Sequence, residues 1–502
     1  MKLIASAALA ALAAGCTAQH EGSRAAPDVF SALAGADRCV AVTPSMFGAT
    51  SGAGTWTAAA GGNPAYCEVK GSLSPVPGSS IGVVYRLPES WNGKVLGLGG
   101  GGWAGNVTLQ AASEGLKKGY ATLQTDAGHP ASATVWDASW ASKPEAMKDF
   151  SYRAVHEMTV AGKKLVRAYY TRSPAKAYFQ GCSTGGRMAL MEAQRYPADY
   201  DAISAGAPVY SWQVQTSAVL RNLAFANNGG AFSAPDLKLA QGAAVGACDA
   251  QDGLKDGLIN DPRQCHWDPG ELQCTGAKTA SCLAPAQVAA LRAVYDGVRG
   301  PDGQWALLPM SRGGEPGWTL FVGTNGSGSD ASYGALTTLF PLALGRPVDL
   351  ARFSAADVPG LRATPYGKMY EAADPNLAPF FAHGGKLLLW HGENDPGPSP
   401  MGTADYARAV MARGGKAAHN MRLFLLPGVE HCGGGPGASP IPLLDTIDGW
   451  EATGAAPQTL IGAKSDNSVV RLQCAWPQVA HYRGKGAAND PASWQCTARA
   501  GA

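Results

Sequence analysis

Gly181-Cys182-Ser183-Thr184-Gly185 fits the pattern G-x-S-x-G, and its surroundings suit a nucleophilic serine. Tyr178 and Phe179 end a short apolar run of strand type. Met188 to Tyr196 alternates as a helix, and Pro197 stops it. The glycines beside Ser183 permit a sharp turn. That turn would lift the hydroxyl clear of a sheet and set the Thr184 N–H at a helix start, where it could hold an oxyanion. A serine also needs a base, and a group to orient the base. Lys386-Leu-Leu-Leu-Trp390 reads as a strand and is followed by His391-Gly-Glu-Asn-Asp395-Pro. Met421 to Leu426 reads as the last strand and is followed by Pro427-Gly-Val-Glu-His431-Cys432. Ser183, Asp395 and His431 thus each come just after a strand, in the order Ser, Asp, His. Glu393 and Asp405 compete for the acid role, but Glu393 comes too early in its loop and Asp405 falls in the helix expected from Met401 to Met411. His391 is the rival base; its place beside the acid loop points to turn packing. The plain alternative is a Gly-rich turn that happens to contain serine, in a chain with 65 glycines.

The elements that would position these residues alternate strand and helix. Ile81 to Leu87 and Val95 to Leu98 read as strands, and the second runs into four glycines, 99–102, and Trp103. A glycine run after a strand brings backbone N–H groups close to a ligand. A phosphate loop would need a G-K-[ST] ending, which is missing. An oxyanion loop is therefore expected, with its donor around Gly102. Leu109 to Lys118 reads as helix and Tyr120 to Gln124 as strand. Phe150 to Tyr170 has helical spacing of Val155, Met158, Leu165 and Val166. His156 inside it reads as a buried, hydrogen-bonded side chain. His129, after Asp126 and Gly128, could be a base but is expected to shape its loop. Asp201 to Pro208 reads as another strand and its exit. This is a doubly wound α/β pattern, and the Ser, Asp, His order makes it an α/β-hydrolase fold.

The pattern stops after Pro208 and returns at Lys386. Residues 210–370 show weak periodicity and carry Cys248, Cys265, Cys274 and Cys282, with Trp212, Trp267, Trp305 and Trp318. They read as an inserted, loop-rich lid domain pinned by disulfides. Residues 19–209 and 371–502 would form the catalytic domain. Within the lid, Asp249, Asp252 and Asp256 share one tight loop. With the carbonyls of Leu254 and Leu258 they would suit a structural calcium ion. The alternative is a solvated acidic turn.

Net charge is +2 with 16% charged residues, so no basic face is offered to nucleic acid. Residues 1–18 read as an export signal. Lys2 is its positive end, and Leu3 to Ala14 is too short an apolar run to span a membrane. Ala13-Ala14-Gly15-Cys16 is lipobox-like, so Cys16 would carry a lipid and tether the protein to a membrane. Ordinary cleavage after Ala18 is the alternative. Either route gives an exported protein: a periplasmic or outer-membrane lipoprotein, or a secreted one. Cys16 is the odd member of 11 cysteines, and an even set of ten in an exported protein predicts full pairing. Local pairs close most easily: Cys39 with Cys67, Cys248 with Cys265, Cys274 with Cys282, Cys474 with Cys496. That leaves Cys182 and Cys432. A bridge between them would staple serine to histidine, although they lie far apart in sequence. Zinc is the rival use of the cysteines, but no tight C-x-x-C pair is present.

A cysteine before the serine, a cysteine after the histidine, the glycine run, the aspartate loop and the late pair at 474 and 496 together resemble the bacterial tannase and feruloyl esterase family. The resemblance covers nearly all of the mature chain. It implies Ser183 as nucleophile, Asp395 as orienting acid, His431 as base, oxyanion donors at Thr184 and near Gly102, and a Cys182–Cys432 bond. It also implies a lid that contacts substrate. The substrate it implies is a small aromatic ester, with feruloyl and other hydroxycinnamoyl esters in the centre. Galloyl esters (tannase) and mono(2-hydroxyethyl) terephthalate are the alternatives. The terephthalate reading needs a lid arginine, for which Arg312 and Arg346 are the nearest candidates. A monomer is expected. Outside this class, a non-catalytic exported binding module would account for the 13 tryptophans and a calcium site. It would not require serine, acid and histidine at three strand ends. A lipase would need a more continuous apolar lid.

Overall fold

The computed structural model describes Phe30 and residues 33–130, 134–226, 229–320 and 331–499. Cys16 and the export signal lie outside the described residues.

A nine-stranded sheet organises the chain. Its strands are β1 (Ser51–Thr57), β2 (Tyr66–Leu73), β3 (Ile81–Pro88), β4 (Lys94–Leu98), β5 (Ala121–Thr125), β6 (Lys176–Cys182), β7 (Ala202–Gly206), β8 (Lys386–Gly392) and β9 (Met421–Leu426). The order across the sheet is β1-β2-β3-β5-β4-β6-β7-β8-β9. The first three strands pair antiparallel, and β3 meets β5 antiparallel. From β5 to β9 every pairing is parallel. Parallel strands need long crossovers, and helices supply them on both faces. Alternation decides what each face buries. Leu96, Tyr178, Leu388 and Phe424 pack on one side with Leu116, Ile447 and Trp450. Val95, Phe179, Ile203 and Leu389 pack on the other with Met158, Leu165 and Leu190. The helices carrying these residues are α1 (Leu109–Lys117), α2 (Ala154–Tyr170), α3 (Thr184–Arg195) and, late in the chain, Leu443–Thr453. The helix expected from Phe150 begins instead as a wider turn, Asp149–Arg153. There the buried Asp149 is held by Ser79 and Arg153.

Residues 210–370 contain more helix than their weak periodicity indicates: α4 (Trp212–Ala226), α5 (Ala234–Cys248), α6 (Pro285–Asp296) and α7 (Ala331–Leu344). They do not share one separate core. Trp212, Val219, Leu308 and Phe340 belong to the core that lies against the sheet. Phe225, Leu237, Trp267, Leu291 and Trp318 form a second cluster. After β7 the chain therefore packs back on the body of the molecule before and after building a smaller core of its own.

Five disulfides join Cys39 to Cys67, Cys182 to Cys432, Cys248 to Cys265, Cys274 to Cys282 and Cys474 to Cys496. The last ties together two C-terminal hairpins, Thr459–Ala463 with Val470–Cys474 and Gln478–Tyr482 with Trp494–Ala498.

Candidate active site

Ser183 stands between β6 and α3 with φ 61° and ψ −122°. A non-glycine residue reaches this region only at a cost, so its neighbours must hold it there. They do so through backbone bonds: the Ser183 N–H donates to the Gly206 carbonyl at 3.0 Å, and its carbonyl accepts from Val209 at 3.2 Å. The turn is tight enough that a Cβ on Gly181 would lie 2.4 Å from the Gly185 carbonyl oxygen.

The glycine run after β4 is stitched to this turn. Gly185 N–H donates to the Gly100 carbonyl at 2.9 Å, and the Thr184 hydroxyl donates to the Gly102 carbonyl. Gly102 has φ 57°, and a Cβ there would meet the Val135 carbonyl oxygen at 2.5 Å. Thr184 is the first residue of α3, so its N–H has no partner inside the helix. Among the described residues neither that N–H nor the one of Gly102 donates to a protein acceptor. His129 fixes the same loop from behind, its Nε2 2.8 Å from the Trp103 carbonyl. Burial pushes this imidazole down to about 4, so it stays neutral and donates. It therefore shapes the loop, as its position in the sequence indicated.

Asp395 and His431 come together at the ends of β8 and β9. His431 Nδ1 lies 2.7 Å from Asp395 Oδ2. Asp395 is fully enclosed. Burial alone would raise its pKa, but His431 beside it and the hydrogen bonds from His391 and His431 outweigh this and hold it at about 2. Ser183 and His431 line the same cleft. The disulfide between Cys182 and Cys432 joins the residue before Ser183 to the residue after His431.

The rival residues face elsewhere. Glu393 is buried against Arg263 and Arg499, and burial raises its pKa despite them. It links the acid loop to the 249–265 region and to the C-terminal strand. Asp405 lies in α8 (Pro400–Gly414) and pairs with Arg408 and the Trp305 indole. His391 is buried behind Asp395 and bonds to it.

Trp103 and Trp136 form aromatic walls of the cleft, and Val209, Val214 and Ala218 add aliphatic ones. Gln215 and Arg221 are the polar groups that α4 brings to it. Arg221 is buried and donates to the carbonyls of Pro396 and Gly397, both at 2.9 Å. It ties α4 to the loop that follows Asp395. No motif in the sequence marks α4 as a wall of the site. Arg312 and Arg346 do not reach the cleft: Arg312 donates to the Trp267 carbonyl and lies over the Tyr295 ring, and Arg346 pairs with Asp357.

Two clusters could bear on metals. Asp249, Asp252 and Asp256 lie on the turn after α5, held by the Cys248–Cys265 bond. Asp249 accepts from the N–H groups of Asp256 and Gly257, and Asp256 pairs with Arg471. Among the described residues, the ligand atoms brought within 4.8 Å of one another belong instead to His156, Glu192 and Asp199, a group that could hold a metal ion. It lies away from the cleft, where His156 Nδ1 contacts Asp199 at 2.6 Å.

Known proteins resemble this chain along most of their length. A mono(2-hydroxyethyl) terephthalate hydrolase from Piscinibacter sakaiensis is 31% identical over 522 residues, covering 88% of this chain and 86% of that protein. Feruloyl esterase B from Aspergillus niger is 30% identical over 472 residues, 86% of each chain. The crystal structure of an esterase from Aspergillus oryzae has a TM-score of 0.81 at 25% identity, covering 93% of this chain and 95% of that one. The family pattern described as tannase and feruloyl esterase matches residues 67–308 and 347–497, a span that holds Ser183, Asp395 and His431. The chain belongs to the tannase and feruloyl esterase family and is an ester hydrolase of that family.

Proposed function

We propose that the protein cleaves esters of phenolic aromatic acids, feruloyl and related hydroxycinnamoyl esters first, through an acyl-enzyme on Ser183. The observation that carries this reading is the 2.7 Å contact between His431 and Asp395 in a cleft shared with Ser183 and walled by Trp103 and Trp136. His431 takes the Ser183 proton as the hydroxyl attacks the ester carbonyl. Asp395 keeps the ring in the tautomer that accepts at Nε2 and stabilises the imidazolium that forms. The N–H groups of Thr184 and Gly102 receive the developing oxyanion. The alcohol leaves with the proton from His431, and a water activated by the same imidazole releases the acid. Residues 210–370 act as the lid. Their helix α4 supplies Val214, Gln215 and Ala218, which sort the acyl group.

The flat aromatic walls favour a ring. Polar contact to a ring substituent discriminates strongly, because a lost partner leaves a buried group unpaired. A comparison of kcat/KM for methyl ferulate, methyl gallate, mono(2-hydroxyethyl) terephthalate and p-nitrophenyl butyrate tests this. Methyl ferulate is expected to lead. Butyrate ahead of every aromatic ester would remove the aromatic-acyl reading. Gallate or terephthalate in front would keep the mechanism and change the acyl group.

Asp249, Asp252 and Asp256, with the carbonyls of Leu254 and Leu258, hold a structural calcium ion in this reading. Burial pushes Asp252 up to about 6, and the nearby charges of Asp256 and Asp249 add to the rise. A divalent cation would relieve that repulsion. Calcium removal should lower the melting temperature, since a ligand at 100 times its Kd stabilises by ~2.7 kcal/mol. Protein free of calcium by elemental analysis, with a melt unchanged by chelator, would leave only an acidic turn. The five disulfides are those of a protein folded in an oxidising compartment, which supports export.

A further inference from the structure

His391 is fully enclosed and uses both ring nitrogens. Nδ1 lies 2.7 Å from the Thr403 hydroxyl on α8. Nε2 lies 3.1 Å from Asp395 Oδ2 and 3.1 Å from the Pro398 carbonyl. A carboxylate and a carbonyl can only accept, so Nε2 carries the proton. The Thr403 hydroxyl can then donate to Nδ1, which fixes that tautomer. Asp395 thus receives three donors. Gly397 N–H reaches Oδ1 at 2.8 Å, while His431 and His391 both reach Oδ2. Among the described residues, apart from His431 itself, the Gly397 and His391 contacts set how the carboxylate is turned.

We propose that His391 is a positioning residue for the reaction: its Nε2–H, held in that tautomer by Thr403, pins Asp395 Oδ2 where His431 Nδ1 meets it. The inference rests on the reading of Ser183, Asp395 and His431 as the catalytic group. It assigns Thr403 a second role, behind His391. Packing β8 against α8 would be the merely structural role for the same residues. That role affects melting, not the division of an effect between kcat and KM.

Two amides separate these roles. Asparagine places its side-chain nitrogen near the position of Nδ1 and can still meet Thr403, but it falls short of Asp395. Glutamine carries its nitrogen to the position of Nε2. His391→Asn should lower kcat ~10- to 100-fold, the effect of one hydrogen bond to a charged group, with little change in KM. His391→Gln should restore kcat to within ~3-fold of the parent enzyme, because the donor to Asp395 is replaced. Equal kcat in H391N and the parent would overturn the proposal. So would equal losses in H391N and H391Q that follow a common fall in melting temperature. If H391N does not fold, Thr403→Val decides: kcat should fall and T403S should restore it, whereas an unchanged kcat in T403V overturns the inference. Ser183→Ala is assayed alongside. An active S183A enzyme would mean that the underlying catalytic reading had failed. An inactive S183A with an unaffected H391N would mean that only the role of His391 had failed.

Discussion

Ser183→Ala should lower kcat by ~10³-fold or more and leave the melting temperature unchanged. The reason lies in how the residue is held. Its φ of 61° is set by backbone bonds to Gly206 and Val209, not by the side chain. Alanine keeps the Cβ and the same conformational cost, so the substitution removes the hydroxyl and little else. A phosphonate that reports on activated serines should label the parent enzyme at Ser183 and leave S183A unlabelled. Substantial turnover by S183A, or labelling at another serine, would mean that the cleft works by other chemistry.

Asp395→Asn should cost ~10⁴-fold in kcat, with normal folding. The amide is nearly the same size, but it carries no charge. It would also present a donor or a weak acceptor to His431, so the imidazole would lose both the partner of its Nδ1–H and the anion that stabilises its charged form. The pH behaviour separates this from a general loss of stability. Asp395 is held at about 2, below its usual value. Its contribution to stability is therefore complete above the unfolded-state pKa of ~3.9 and is lost as pH falls towards 2. Asp395 stays ionised at mildly acidic pH, so loss of activity between pH 4 and 6 would come from other groups. In acid unfolding, the parent enzyme should lose stability below pH 4 more steeply than D395N. Matching acid limbs in both proteins would mean that the carboxylate is not held by its two histidines as described.

The sheet was legible because its parallel strands are buried on both faces. Lys386 to Trp390 and Met421 to Leu426 are short, mostly apolar runs bounded by turn signals, as buried strands are. The candidate site was legible for a related reason. Ser183, Asp395 and His431 each follow such a run, and the chemistry requires them near strand ends. The region between was harder. In α4, Trp212, Val214, Thr216, Ala218, Val219, Arg221, Asn222 and Phe225 are all buried, so no polar face alternates with an apolar one. α7 carries Pro341 inside it. Periodicity, the usual sign of a helix, is weak when every side is enclosed. Arg221 and Gln215 reach the cleft only because α4 folds back over the turn at Ser183, and no local pattern encodes that crossing. Arg312 and Arg346 were plausible on position alone; the same folding turns them toward Trp267 and Asp357. The position of His391 beside the acid loop points to turn packing, and its bond to the Asp395 carboxylate appears only in three dimensions.

The bond between Cys182 and Cys432 spans 250 residues of sequence. It closes a covalent ring with the proposed chemistry at the clasp. Helix α4 with Val214, Gln215 and Ala218, the aspartate loop and the smaller core lie inside that ring, while Trp103 and Trp136 lie outside it. In a flexible chain, doubling the length of such a ring adds only ~0.6 kcal/mol to the cost of closing it. The segment after β7 can therefore lengthen or shorten at little entropic cost to the closed ring. If the proposed chemistry holds, acyl preference could shift through the α4 wall inside the ring while the Cys182–Cys432 clasp stayed as it is.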